Sequence, residues 1–245
     1  MNDDFYIGYL DRFPTALRRG IRCTAVVGLL LAFMTAVLVA LGQKRAETGV
    51  FEFGHPRTFA GEILELPFPI LYLAGTNGGG TNFVLVGEGK RGVPAWFRGK
   101  HGHRVVFTGT LIQKESDCMI EVSSTPDPKD EGIEPVSPLV THVFGPVALK
   151  GELVDTKCYF GVMRPGEGKV HRACAVRCLS GGVPPGLLVR DGDGRGQVLL
   201  LTGEEDWEPL QFDPQWAARM LSVSGVLERN GNLLILRVKK LSLID

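Results

Sequence analysis

Charge of one dominant sign is missing from this chain of 245 residues: 27 Lys and Arg stand against 27 Asp and Glu. With no net field to draw a polyanion, nucleic acid is not an expected partner. Cofactor and catalytic signatures are missing too. There is no Cys-x-x-Cys-His for covalent haem and no Cys-x-x-Cys pair for a zinc ribbon. No Lys-Ser/Thr follows Gly78, Gly79 and Gly80, which therefore read as a turn and not a phosphate loop. No Ser-His-Asp set in a recognisable context and no paired carboxylates stand out, so no catalytic residue is assigned. Long amphipathic runs are scarce. Instead 32 Gly and 15 Pro punctuate short apolar runs, the pattern of a β-rich body with many turns, and the chain is too apolar for disorder.

What is present first is a run without a charge at 23–41, C-T-A-V-V-G-L-L-L-A-F-M-T-A-V-L-V-A-L. At about 1.5 Å per residue it nearly spans a hydrocarbon core of roughly 30 Å. It has no polar face such as a buried core helix keeps. A cleaved signal peptide is the alternative, with Ala40-Leu41-Gly42 as a loose cleavage site, but the run exceeds a usual signal-peptide core. The reading is therefore a transmembrane helix at 22–42, preceded by a cytoplasmic or interfacial segment 1–21 bearing Phe5, Tyr6, Tyr9 and Phe13. Arg12, Arg18, Arg19 and Arg22 lie before the run, against Lys44 and Arg45 after it. The positive-inside rule then leaves the N-terminus in the cytoplasm and exports 43–245 from the inner membrane, with periplasmic or other extracytoplasmic domains. Arg18-Arg19 does not complete a twin-arginine signal.

The exported part carries a repeat. The stretch 109–122, G-T-L-I-Q-K-E-S-D-C-M-I-E-V, aligns without a gap on 225–238, G-V-L-E-R-N-G-N-L-L-I-L-R-V. Upstream, F-A-G-E-I-L-E at 59–65 matches L-K-G-E-L-V-D at 149–155. Between these anchors, I-L-Y-L-A-G from Ile70 pairs with L-L-V-R-D-G from Leu187, and short helical candidates contain Trp96 and Trp216. Each unit reads as three strands, a short helix and a hairpin, the order of an OB-fold. The fold class is thus mainly β: one N-terminal transmembrane helix and two tandem OB-like barrels, 52–122 and 147–245. A linker at 123–146 holds Pro126, Pro128, Pro135, Pro138 and Pro146. The second barrel is the longer, because residues 156–185 are inserted between its first two strands, beside the usual binding face.

That insertion concentrates the chemistry: Cys158, His171, Cys174 and Cys178, with Asp155 just ahead. A helix over 171–179, stopped by Gly181 and Gly182, puts His171, Cys174 and Cys178 on one face. Cys158 folds back to them. Three thiolates and an imidazole suit zinc or Cu(I), with Asp155 orienting His171 and Met163 offering a thioether. A disulfide from Cys158 to Cys174 or Cys178 is the alternative, with the remaining thiol left for Cys118. A third reading is a redox-active thiol pair activated by His171, Lys169, Arg172 or Arg177. Cys23, at the membrane boundary, is read as inert. In the first barrel, five cations at 90–104 read as a solvated surface or a contact for anionic headgroups, and His101 with His103 as a weaker metal pair.

The piece G-E-L-V-D-T-K-C-Y-F-G-V-M, then G-K-V-H-R-A-C-A-V-R-C-L-S-G-G-V-P-P, resembles small exported bacterial domains with an Asp-x-x-Cys, His-x-x-Cys-Ala-x-x-Cys and Gly-x-Pro pattern. The likeness covers roughly 147–240 and implies an exported location and a shared cluster at Cys158, His171, Cys174 and Cys178, not a reaction. The expected function is an anchored accessory or assembly subunit of a membrane complex, with protein partners there. A metal-binding or electron-transfer module and a thiol-disulfide oxidoreductase are the alternatives.

Overall fold

The computed structural model describes residues 15–42, 49–65, 68–75, 80–133, 141–204 and 209–244. The expectations placed on residues 1–14, Lys44, Arg45, Gly78 and Gly79, and on Pro135 and Pro138, lie outside them. The apolar run is carried by helix α1 (Thr15–Gly42), whose described side chains are exposed apart from the half-buried Arg18. It begins at Thr15 and not at 22, because Leu17, Arg18 and Arg19 are good helix formers. Its Thr24 and Thr35 hydroxyls donate to Gly20 O and Leu31 O at 3.0 and 2.7 Å, so both hydroxyls are satisfied within the helix. Within Leu17–Gly42 an 18-residue window has a mean hydropathy of 2.6, enough by length and composition to cross a membrane and equally met by a signal sequence.

From Thr48 onward the chain forms a second unit of two barrels. The first uses β1 (Val50–Phe51), β2 (Arg57–Glu65), β3 (Pro69–Ala74), β4 (Gly80–Gly87), β5 (His103–Lys114), β6 (Asp117–Val122) and β7 (Lys129–Ile133). Five of these close a ring in the order β5-β2-β3-β4-β6 and back to β5, with β4 and β6 parallel. β1 and β7 lie on β5 outside the ring. The second barrel uses β8 (Thr141–Asp155), β9 (Pro185–Arg190), β10 (Gly196–Thr202), β11 (Met220–Asn230) and β12 (Leu233–Leu243), closed in the order β10-β12-β11-β8-β9. Its β10 and β12 are likewise parallel. Counted along each barrel, both rings run 1-2-3-5-4, and both place a 3₁₀ turn before the fourth strand, Ala95–Phe97 and Pro214–Trp216. This is the OB-type order expected from the sequence.

The registers coincide: Gly109 pairs with Val122 and Gly225 with Val238, while Gly61 pairs with Val105 and Gly151 with Leu221. One sequence pairing is corrected. Leu71 faces Ile63 as Leu187 faces Leu153, so Leu187 answers to Leu71 and not to Ile70. A one-residue slip is easy to make where apolar residues run without alternation, because nothing in I-L-Y-L marks which side faces in.

The linker is also corrected. Within 123–146, residues Lys129–Ile133 form β7 on β5, held by Lys100 and His103 on Asp130 at 2.7 and 3.0 Å. Strand β8 begins at Thr141, ahead of the expected boundary at 147, because Thr141–Asp155 is long enough to pair with the whole of β11.

Three apolar cores result. Phe59, Ile63, Leu71, Leu85, Phe97 and Phe107 fill the first barrel. Leu153, Leu187, Leu199, Leu221 and Leu236 fill the second. The third lies between the barrels, where Ile70, Val84, Ile112 and Met119 meet Val154, Cys158, Phe160, Cys178 and Ile235. The cysteine-bearing insertion is part of this junction.

Candidate metal centre

Asp155 ends β8 and is wholly buried. Its Oδ1 accepts the Cys158 backbone N–H at 2.9 Å, a cap that starts a wide helical turn, Cys158–Val162, at the cysteine. Its Oδ2 lies 2.9 Å from His171 Nε2. A carboxylate only accepts, so Nε2 is the donor, and in the neutral ring Nδ1 is then the nitrogen left with the lone pair that a metal requires. Asp155 thus sits where an orienting partner for His171 was expected.

His171 is the residue before helix α2 (Arg172–Ser180), which starts one position later than the sequence reading placed it. The helix buries Ala175, Cys178 and Leu179 and turns Arg172 and Arg177 outward. Cys174 and Cys178, four apart, therefore share its inner side, with Cys174 the partly exposed one. Cys158 Sγ lies 3.9 Å from Cys174 Sγ and 4.0 Å from Cys178 Sγ. Two sets of three ligand atoms lie within 4.8 Å of one another, Cys158 with His171 and Cys174, and Cys158 with Asp155 and Cys178. Cys158 belongs to both and is the hub of the cluster.

All five cysteines are free thiols. A disulfide needs sulfurs about 2 Å apart, roughly half the separations seen here. Cys118 is buried in β6, its Sγ directed at Ser116 O at 3.6 Å, and burial raises its pKa. The Cys158 thiol is pushed up, first by its hydrogen bond with Cys178, then by burial and by Asp155. The Cys178 thiol is lowered, first by the same hydrogen bond. Either sulfur can donate in this contact, and Cys178 is the more acidic member of the pair.

The sequence reading missed Lys90. It lies after β4 in the first barrel, and its Nζ reaches Cys174 Sγ at 2.6 Å and Cys178 Sγ at 4.0 Å. That hydrogen bond to Cys174 raises the Lys90 pKa. Lys157, beside Cys158, runs the other way: its fully buried ammonium donates to Gly87 O and Gly89 O, each at 2.7 Å, and to the Glu121 carboxylate. An ammonium has three N–H bonds, and here all three are used.

Met163 is a largely exposed side chain, 44% accessible, at the end of the turn that Cys158 begins. His101 accepts the Glu65 backbone N–H at 3.2 Å, whereas His103 faces Asp130, so each imidazole has a partner of its own. The basic stretch is not a free cationic patch throughout, since Lys100 and Arg104 pair with Asp130 and Glu131. No family model, curated protein or solved structure matches this chain.

Proposed function

We propose that this is a membrane-tethered metalloprotein whose Cys158, Cys174 and Cys178 thiolates and His171 imidazole hold one zinc or copper ion at the junction of two OB-like barrels. The observation that carries the reading is the spacing of the sulfurs, 3.9 and 4.0 Å around Cys158. Metal–sulfur bonds of about 2.3 Å in a tetrahedron set ligand sulfurs roughly 3.8 Å apart. Three thiolates and an imidazole would close the shell, as in structural sites, leaving no open position for catalysis.

The accessory-subunit role agrees with that chemistry: a closed metal site stiffens a scaffold, and the apolar α1 tethers it. In this reading α1 crosses the inner membrane once, with the N-terminus in the cytoplasm and both barrels exported. The second barrel is a copy of the first that acquired the insertion, a history supported by the Gly109–Val122 and Gly225–Val238 registers. Metal analysis of the purified full chain, with thiol counting before and after chelation and before and after reduction, tests the site. One metal per chain, with three thiols becoming reactive on chelation and metal lost in Cys174→Ser, is expected. Thiols that appear only after a reductant would replace the metal by a disulfide or a redox-active pair.

A further inference from the structure

We infer that the first barrel completes the metal centre: Lys90 donates from outside the coordination shell to the Cys174 thiolate and offsets the negative charge of the metal-thiolate group. The inference rests on the metal reading above and adds to it a residue from outside the motif. Three thiolates outweigh a divalent ion by one negative charge and a monovalent ion by two. Such an excess, next to the buried Cys158 and Cys178, is costly unless a cation meets it. Among the described residues Lys90 is the cation in direct contact with the sulfurs, at 2.6 Å from Cys174 and 4.0 Å from Cys178. Of the other charged groups nearby, Asp155 is held by Cys158 N–H and His171 within the cluster, while Lys157 pairs with Glu121 and Arg172 donates to Gln215 O.

Lys90 is held there by the second barrel. The Gly92 N–H donates to Gly181 O at 2.8 Å, just past the end of α2. A Cβ on Gly181 would stand 1.9 Å from Lys90 O, and one on Gly92 would stand 2.3 Å from Gly182 O, so the two backbones touch where only glycine fits. Lys157 pins the other end of the loop through Gly87 O and Gly89 O. The loop 87–92 therefore has its position set from the barrel that owns the cysteines, and the second barrel by itself is an incomplete site.

The test uses the full chain in detergent, with Zn²⁺ affinity read by competition against a chromogenic chelator and Co²⁺ as the spectroscopic probe. Lys90→Met is expected to keep one metal per chain but lower Zn²⁺ affinity about tenfold, the lower end for loss of a partner outside the shell. Its thiolate-to-Co²⁺ charge-transfer band is expected at longer wavelength, because a thiolate that loses a donor gives up its electron more readily. Lys90→Arg is expected to restore both. Unchanged affinity, or lowered affinity with the band unmoved, would overturn the role of Lys90 while leaving the metal site standing. No metal on the unaltered chain would overturn both.

Discussion

Lys90 and Lys157 cross the barrel junction in opposite directions. Lys90 leaves the first barrel for the sulfurs of Cys174 and Cys178, and Lys157 leaves the second for Gly87 O, Gly89 O and Glu121. Because Gly87 and Gly89 lie in the loop that carries Lys90, each lysine positions the other's surroundings. The same junction holds a cation–π contact, Lys114 over the Tyr159 ring at 3.6 Å, and an asparagine bridge from Asn232 to Asn82 and Ser116.

Removing the Lys157 ammonium, itself buried, leaves the largely buried Glu121 carboxylate and the buried Gly87 carbonyl without their donor, while the exposed Gly89 carbonyl can turn to water. Lys157→Met is expected to lower unfolding stability by about 3 kcal/mol, the scale for breaking a buried ion pair from one side. Denaturant unfolding of the metal-loaded protein measures it. A loss below about 1 kcal/mol would place this pair with exposed ones.

Asp155 has two separate duties, capping the Cys158 turn with Oδ1 and fixing the His171 tautomer with Oδ2. An amide can keep one acceptor oxygen but places an NH₂ where the other was. Asp155→Asn is therefore expected to reduce metal affinity by about tenfold or more. Chelator competition reads the loss, and unchanged affinity would detach His171 from the site.

Gly181 has no room for a methyl group, because its Cβ would lie 1.9 Å from Lys90 O. Gly181→Ala is expected to push the loop of Lys90 off the end of α2, costing more than about 1 kcal/mol of stability. Metal affinity should fall as it does in Lys90→Met, though neither Gly181 nor Lys90 is a ligand. Stability lost with affinity intact would separate the loop from the centre.

Asp117, in β6 and close to Gln197 of the other barrel at 3.5 Å, is pushed up to about 7 from an ordinary 3.8, first by burial and then by Glu115. A carboxyl with a raised folded-state pKa is stabilising below its ordinary pKa, where it is protonated in both states. That contribution drains away as pH rises from about 4 to about 7, while the unfolded chain ionises and the folded one resists. Asp117→Asn is expected to flatten this decline relative to the unaltered protein, and parallel stability curves would show that Asp117 ionises normally.

The OB-type strand order was readable because glycines and turn residues bracket short apolar runs, and because G-T-L-I and G-V-L-E mark the same register in two places. The shared face of Cys174 and Cys178 was readable from local helical spacing, whereas His171 sits just ahead of that helix and Cys158 returns to it from a separate turn. What escaped was long-range. Lys90 lies in a stretch rich in cations, and nothing near it in sequence distinguishes it from Arg91 or Arg98. Its partner Cys174 is 84 positions away, and the contact depends on how two barrels dock. Lys157 carries the same lesson: a lysine beside a cysteine reads as surface until the facing loop is seen to present three acceptors. The strand β7 was hidden by the prolines around it, which describe a linker well but leave Lys129–Ile133 free to pair.

X-ray absorption at the edge of the bound metal in the full-length protein reads the coordination shell itself. Three sulfurs at about 2.3 Å and one nitrogen at about 2.0 Å are expected, with one sulfur lost in Cys158→Ser. A shell of oxygen and nitrogen alone, or the same shell in Cys158→Ser as in the unaltered chain, would contradict a metal centred on Cys158.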